Sequence, residues 1–223
     1  MSVAYQWHFE VVRAALPLLL RGIVLTVEAS VVSMALALVL AFVVALARVS
    51  QARALRGVAY AYTEFFRNTP LLMQILWIYY ALPLTTGLRL SAFYSGVAAL
   101  VLSLTAFVAE IYRAGIISIG PGQRHAGLAI GMTQPQLYRR IIFPQALARV
   151  IPPLGSLWVS LFKDTSILSV IGVAELMDVG RVIAADTYRP LEIFTVVAML
   201  YYLLGYPQAL AVNHLYHRLR VTE

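Results

Sequence analysis

The chain has 223 residues, 61% of them hydrophobic and only 12% charged, with a positive mean hydropathy and a net charge of +7. A chain this apolar is no soluble globule and belongs in a bilayer. The basic balance does not indicate nucleic acid, because the arginines stand at segment ends and not in one aromatic-interleaved patch, and the lack of cysteine excludes disulfides and thiolate metal sites.

Residues 1–21 lack a basic start followed by a long apolar run and a small-residue cleavage site, so they are read as retained, not as a cleaved signal. Trp7, Phe9, Val12, Leu16 and Leu19 share one helical face, and Tyr5 and Trp7 suit the headgroup layer; an interfacial lead-in helix is expected. Five spans follow, each near the ~20 apolar residues that ~30 Å of hydrocarbon requires. They are Gly22 to Ala47, interrupted by Glu28; Thr69 to Leu84; Phe93 to Ala109; one within Val150 to Ala174; and Ile193 to Asn213. The expected fold is therefore an all-α integral membrane protein of five transmembrane helices. An odd count puts the termini on opposite sides. Arg48, Arg53 and Arg56, the arginines of the loop after the third span, and Arg218 and Arg220 of the tail share one side, while the arginines opposite are diluted by acids. The positive-inside bias places the N-terminus outside, with the loop and C-terminus in the cytoplasm.

The polar loop between the third and fourth spans, about residues 119–144, has its own grammar. Pro121 suits the first turn of a short helix, and Gly131 can close it in a left-handed conformation. Thr133 and Gln136 form a capping box for a second short helix that tolerates Pro135. Two stubby helices with polar faces would result, a knob for a soluble partner.

The loop resembles the EAA motif of ATP-binding-cassette (ABC) importer permeases in bacteria. Counting from His125, Gly131, Ile141 and Pro144 fall at the family's offsets of six, sixteen and nineteen. The phrases EIYRAGI from Glu110, PGQ from Pro121, PQA from Pro144 and KDTS from Lys163 are similar to the polar amino acid branch. Two departures are His125 where the family has Glu and Gly127 where it has its second Ala. The resemblance implies a MetI-like type I importer transmembrane domain over residues 22–223, in the bacterial plasma membrane, with cytoplasmic coupling helices. It implies that Gly122, Gln123, Arg124, His125, Ala126, Gly127, Leu128, Gly131 and Met132 dock on an ATPase subunit. The implied partners are ABC ATPase subunits carrying ATP and Mg, a second permease chain (copy or homologue), a substrate-binding protein and a polar amino acid. An amino-acid-like compatible solute or an opine is the alternative cargo. No cofactor or metal is expected in this chain: His214 and His217 have no third ligand nearby in sequence, and the basic tail accounts for them.

Lys163, the chain's single lysine, and Asp164 are the only charges between Arg149 and Glu175. Charge at that depth costs at least ~2.5–3.5 kcal/mol unless it meets protein, a counter-charge or water. The pair either holds helices together as ions or serves substrate or gate, and Pro152, Pro153, Gly155 and Gly172 would supply a break in the helix. The resemblance puts this region, with Gly155, Ser156, Thr165 and Ser166, beside the translocation path; the two hydroxyls are equally at home on preceding carbonyls. Asn68, Thr69 and Pro70 belong to RNTP, similar to a family phrase with Gly at the Asn68 position, and Pro70 is expected to open the second span. Asn68, Thr69, Pro70, Gln74 and Glu110 are counted with the substrate-path candidates, although Gln74 and Glu28 also suit hydrogen bonds to neighbouring helices and Glu110 an internal pair with Arg113.

A phosphate-cradling loop needs GxxxxGK followed by Ser or Thr, whereas Phe162 and Asp164 flank the lone lysine, so ATP hydrolysis must come from another subunit. No span carries a Ser/His or paired-carboxylate constellation, which speaks against an intramembrane enzyme; nothing catalytic is assigned. An ion-coupled carrier or channel would also accommodate Lys163 and Asp164.

Overall fold

The computed structural model describes residues 5–219, with side chains as far as Tyr216, and all its regular structure is helical. Arg220 and the side chains of His217 and Arg218 lie outside the described residues. Helix α1 runs unbroken from Glu10 to Val49, so the expected lead-in helix and first span are one element with no boundary at residue 21. At about 1.5 Å per residue its length is roughly twice the ~30 Å of a hydrocarbon core. Small residues make its inner stripe: Ala29, Ser33, Ala37, Ala41 and Ala45 recur every fourth position and are buried. Without bulky side chains there, the backbone of α5 (Ala92–Ile117), itself lined by Gly96, Ala99, Ser103, Ala106 and Ala109, can approach closely. Val39 and Val43 point outward and are 68% and 64% exposed.

An amphipathic helix, α2 (Arg53–Asn68), stands before the second span where the sequence reading placed only a polar lead-in. Pro70 ends it: Thr69 takes an extended conformation, as pre-proline sterics demand, and Pro70 becomes the N-cap of α3 (Leu71–Leu76). The span then widens through a π turn at Trp77–Ala81 into α4 (Leu82–Thr86), closed by left-handed Gly87. It is shorter than the four helices that, among the described residues, are long and apolar enough to cross a membrane, which are Glu10–Val49, Ala92–Ile117, Gln134–Ile171 and Pro190–Tyr216.

The loop holds α6 (Pro121–Ala129) and α7 (Gln134–Leu137). Only α6 is a separate short helix. α7 continues through a π turn at Tyr138–Ile142, which widens the helix ahead of Pro144, into α8 (Phe143–Asp164). The break expected from Pro152 and Pro153 is also displaced, since both sit within α8 and the helix tightens to 3-10 only after Asp164, at Thr165–Ile171. Left-handed Gly172 ends that turn, and α9 (Leu176–Thr187), which the sequence reading did not anticipate, leads to α10 (Pro190–Leu219). The main core lies among α1, α3, α5 and the 3-10 turn, around Ala37, Ile75, Leu100 and Leu168. A second core, around Leu19, Leu176 and Ile193, joins the start of α1 to α9 and α10.

Candidate functional site

The α6 hairpin is built from its ends inward. At α5's end, the Ser118 hydroxyl donates to the Gly115 carbonyl at 2.7 Å, and Arg149 of α8 donates to the Ser118 carbonyl. Gly115 lets α5 and α8 touch, because a Cβ there would lie 2.2 Å from Val150 Cγ2. Both ends of the loop are thus tied together at the foot of two spans. Pro121 takes the first turn of α6 as expected. At the other end Gly131, at φ +81°, permits two closing bonds, from its own N–H to Leu128 O at 3.0 Å and from Met132 N–H to Gly127 O at 3.1 Å. The capping of α7 is also seen: the Gln136 side chain accepts the Thr133 N–H at 2.9 Å.

Gly127 is the buried point of α6. A Cβ there would fall 2.6 Å from Leu137 Cδ1 and 3.3 Å from Ile141 Cδ1, so at this position α6 lies directly against α7 and the π turn. Gly122, Gln123, Arg124, His125 and Ala126 are exposed around the turn before it, Gly131 is exposed, and Met132 is half-buried. Leu128 and Ile130 are 39% and 77% exposed, an apolar tip beside a basic, hydrogen-bonding face.

The second group of candidates does not converge on one cavity. Lys163 is exposed and Asp164 half-buried, and no ion pair joins them among the described residues. Lys163 and Ser166 line a cleft of about 320 Å³ with Met177, Phe194, Val197 and Tyr201. The hydroxyls of Thr165 and Ser166 donate to the Phe162 and Lys163 carbonyls at 2.8 and 2.6 Å, which holds the 3-10 turn. Ser156 lines a different cleft, of about 370 Å³, with Arg67, Phe107, Glu110 and Ser160. Gly155 is spent on helix packing, since a Cβ would meet Val212 Cγ1 at 2.7 Å.

Near Pro70 the candidates mainly shape the elbow between α2 and α3. Gln74, 5% exposed, donates to the Phe66 and Thr69 carbonyls at 3.0 and 2.9 Å. Asn68 donates to the Glu64 carbonyl and carboxylate, and the Thr69 hydroxyl donates to Phe65 O at 2.7 Å. Glu110 accepts from Arg113, as expected, and also from Arg48 of α1 at 3.1 Å. Glu28 differs from expectation: it is exposed and has no hydrogen bond among the described residues.

Beneath the Lys163 cleft lies a group that sequence reasoning missed. Glu175 is fully buried; it accepts from Met177 N–H at 3.0 Å and Asp178 N–H at 2.8 Å as the N-cap of α9, and from the Tyr201 hydroxyl at 2.6 Å. Burial holds its carboxyl above the usual range although these donors pull it down. Its place as the residue before an apolar helix is the available signal. Glu192 is likewise fully buried and accepts from the Tyr5 hydroxyl at 2.5 Å and His8 N–H at 3.0 Å, which fastens the start of α1 to that of α10.

Residues 37–221 match the family described as the binding-protein-dependent transport system inner membrane component. The chain is similar to the glutamine transport system permease protein GlnP of Escherichia coli (strain K12), 36% identical over 97% of this chain and 99% of that one. It is 39% identical, over 84% of itself and 80% of the relative, to the octopine transport system permease protein OccM of Rhizobium meliloti. A solved amino acid ABC transporter superposes with a TM-score of 0.91 at 32% identity, covering 96% of this chain and all of the other.

Proposed function

The chain belongs to the family of binding-protein-dependent transport system inner membrane components, and from that premise we propose that it forms half of the translocation path for a polar amino acid. It is a transport subunit and not an enzyme: the family's ATP hydrolysis belongs to a separate subunit. In this reading a binding protein delivers the amino acid to the outer face, where the N-terminus lies, and ATPase subunits using ATP and Mg engage the cytoplasmic face, where the loop and C-terminus lie. A second permease chain completes the path. The transmembrane domain takes in residues 22–223, and α1 carries the chain into it from Glu10 without a break.

The observation that carries this is the α6 hairpin. Its exposed residues Gly122 to Ala126, its glycine-closed end at Gly131 and its clamp through Arg149 onto α5 and α8 make a rigid lever tied to two spans. When the ATPase dimer closes, a push on Gln123, Arg124 and His125 passes through Gly127 and Leu137 into the α8 helix that carries Lys163 and Asp164. Lys163 above its cleft supplies a cation suited to an α-carboxylate, and Asp164 supplies an anion suited to an ammonium on a neighbouring face. Ser156 with Glu110 and Arg67 lines the second cleft on the loop side. An opine is the second reading of the cargo, favoured by the similarity to the octopine permease.

The test is uptake in proteoliposomes holding the chain, its ATPase and its binding protein. Uptake should require enclosed ATP and continue after ion gradients are collapsed. Gradient-driven uptake without ATP would replace the reading with an ion-coupled carrier.

A further inference from the structure

Beside the hairpin, at the junction of α1, α2 and α5, four arginines surround one opening. A cleft of about 350 Å³ is lined by Arg48, Arg53, Arg56, Gly57, Tyr60 and Arg113. A single carboxylate, Glu110, faces these guanidinium groups, and it is already engaged by Arg48 and Arg113. Arg53 and Arg56 are exposed, and Arg56 reaches only the Ser50 carbonyl, at 3.4 Å. Positive charge is therefore concentrated well beyond what the protein neutralises.

The Arg48 side chain, 9% exposed, is fixed at the inner wall by Glu110 and by the Tyr60 ring, whose centre lies 4.8 Å from its guanidinium carbon, so the charge left for an anion is that of Arg53 and Arg56 at the mouth. α2 also begins here without a side-chain cap at Ala52 and without an acidic residue in its first turn. Arg53 and Arg56 instead add positive charge at the positive end of the helix dipole, an arrangement that favours a bound anion. Gly57 keeps the mouth open, for nothing lies within 4 Å of a Cβ built on it.

We infer that this cleft binds a phosphodiester, the headgroup phosphate of an anionic phospholipid in the leaflet on the hairpin's side. The neighbouring surface selects lipid over a soluble phosphate: Leu55 and Val58, three residues apart on α2, are 51% and 72% exposed beside the arginines. An amphipathic helix with that pairing lies along the interface with its apolar residues among acyl chains and its arginines at the phosphates. The lipid would brace the foot of α1 and α2 against Glu110 on α5, the span that leads into the hairpin.

The test uses the full chain in its assembled transporter, purified in neutral detergent, stripped of lipid and titrated with phosphatidylglycerol or phosphatidylcholine, with bound lipid counted by native mass spectrometry. The wild type should retain phosphatidylglycerol selectively. Arg53→Gln with Arg56→Gln should weaken it on the order of thirtyfold, about fivefold per arginine. Gly57→Glu, which places a carboxylate in the opening and suits a helix better than glycine, should compete the lipid away with the assembly intact. Equal retention of the two lipids, or unchanged retention in both variants, overturns the proposal. Displacement by millimolar inorganic phosphate would reassign the cleft to a soluble anion, and loss of the ATPase subunits with lipid retention unchanged would reassign the arginines to a protein contact.

Discussion

Gly127 and Gly131 do opposite things four residues apart. Gly131 is needed for its backbone, because a side chain at φ +81° costs about 1–2 kcal/mol. Gly127 is needed for its missing Cβ, which lets Leu137 and Ile141 press on the α6 backbone. The first was legible in the sequence from spacing alone; the second was visible only as a departure from the family's Ala, and the structure supplies its reason. Asp164 is a residue of another kind, half-buried with no ion pair among the described residues. In the proposed reading this carboxylate serves the substrate path. Asp164→Asn should therefore lower the maximal uptake rate at least tenfold, while the variant co-purifies with its ATPase at wild-type stoichiometry. Unaltered transport kinetics would return Asp164 to a structural role.

At the scale of elements, the sequence reading located the hairpin and missed how it joins the bundle. Pro135, Gln136 and Thr133 correctly marked the start of a helix, but nothing local marks the π turn that carries it on into α8. Propagation through Tyr138–Ile142 depends on Leu137 and Ile142 being buried against neighbours, a contact that no window of sequence contains. In the proposed reading the consequence is mechanical, since α7, the π turn and α8 run without a break to Lys163 and α6 packs on their start through Gly127. Because the chain has no cysteine, a single Arg124→Cys can be crosslinked without background. It should join to a cysteine in the ATPase subunit's docking cleft, and the adduct should hydrolyse ATP with little uptake. Failure to crosslink, with activity intact, would detach the hairpin from the coupling role. α2 and α9 went unassigned for a related reason: each is short, bounded by pre-proline geometry or by a carboxylate cap, and gains its stability from packing and not from hydrophobic length.

For the whole molecule, the two clefts that hold Lys163 and Ser156 are open at the surface of one chain, and the exposed carboxylate of Glu28 faces outward from a long apolar helix. In the proposed reading a second membrane chain lies across both features. The intact complex, weighed by native mass spectrometry, should contain two permease chains, either two copies of this one or one with a homologue bearing Glu at the position of His125. A complex with a single permease chain would refute the shared path. Composition and apolar run lengths determined by themselves that this is an all-helical membrane protein, and Pro121, Gly131, Thr133 and Gln136 marked the hairpin between two spans, because those signals are local. Only the tertiary structure decided that α1 is one helix, that Glu110 is held by Arg48 as well as Arg113, that Glu175 is buried beneath the Lys163 cleft, and that four arginines share one opening. Each of those depends on residues far apart in the chain, brought together by small side chains that let helix backbones meet.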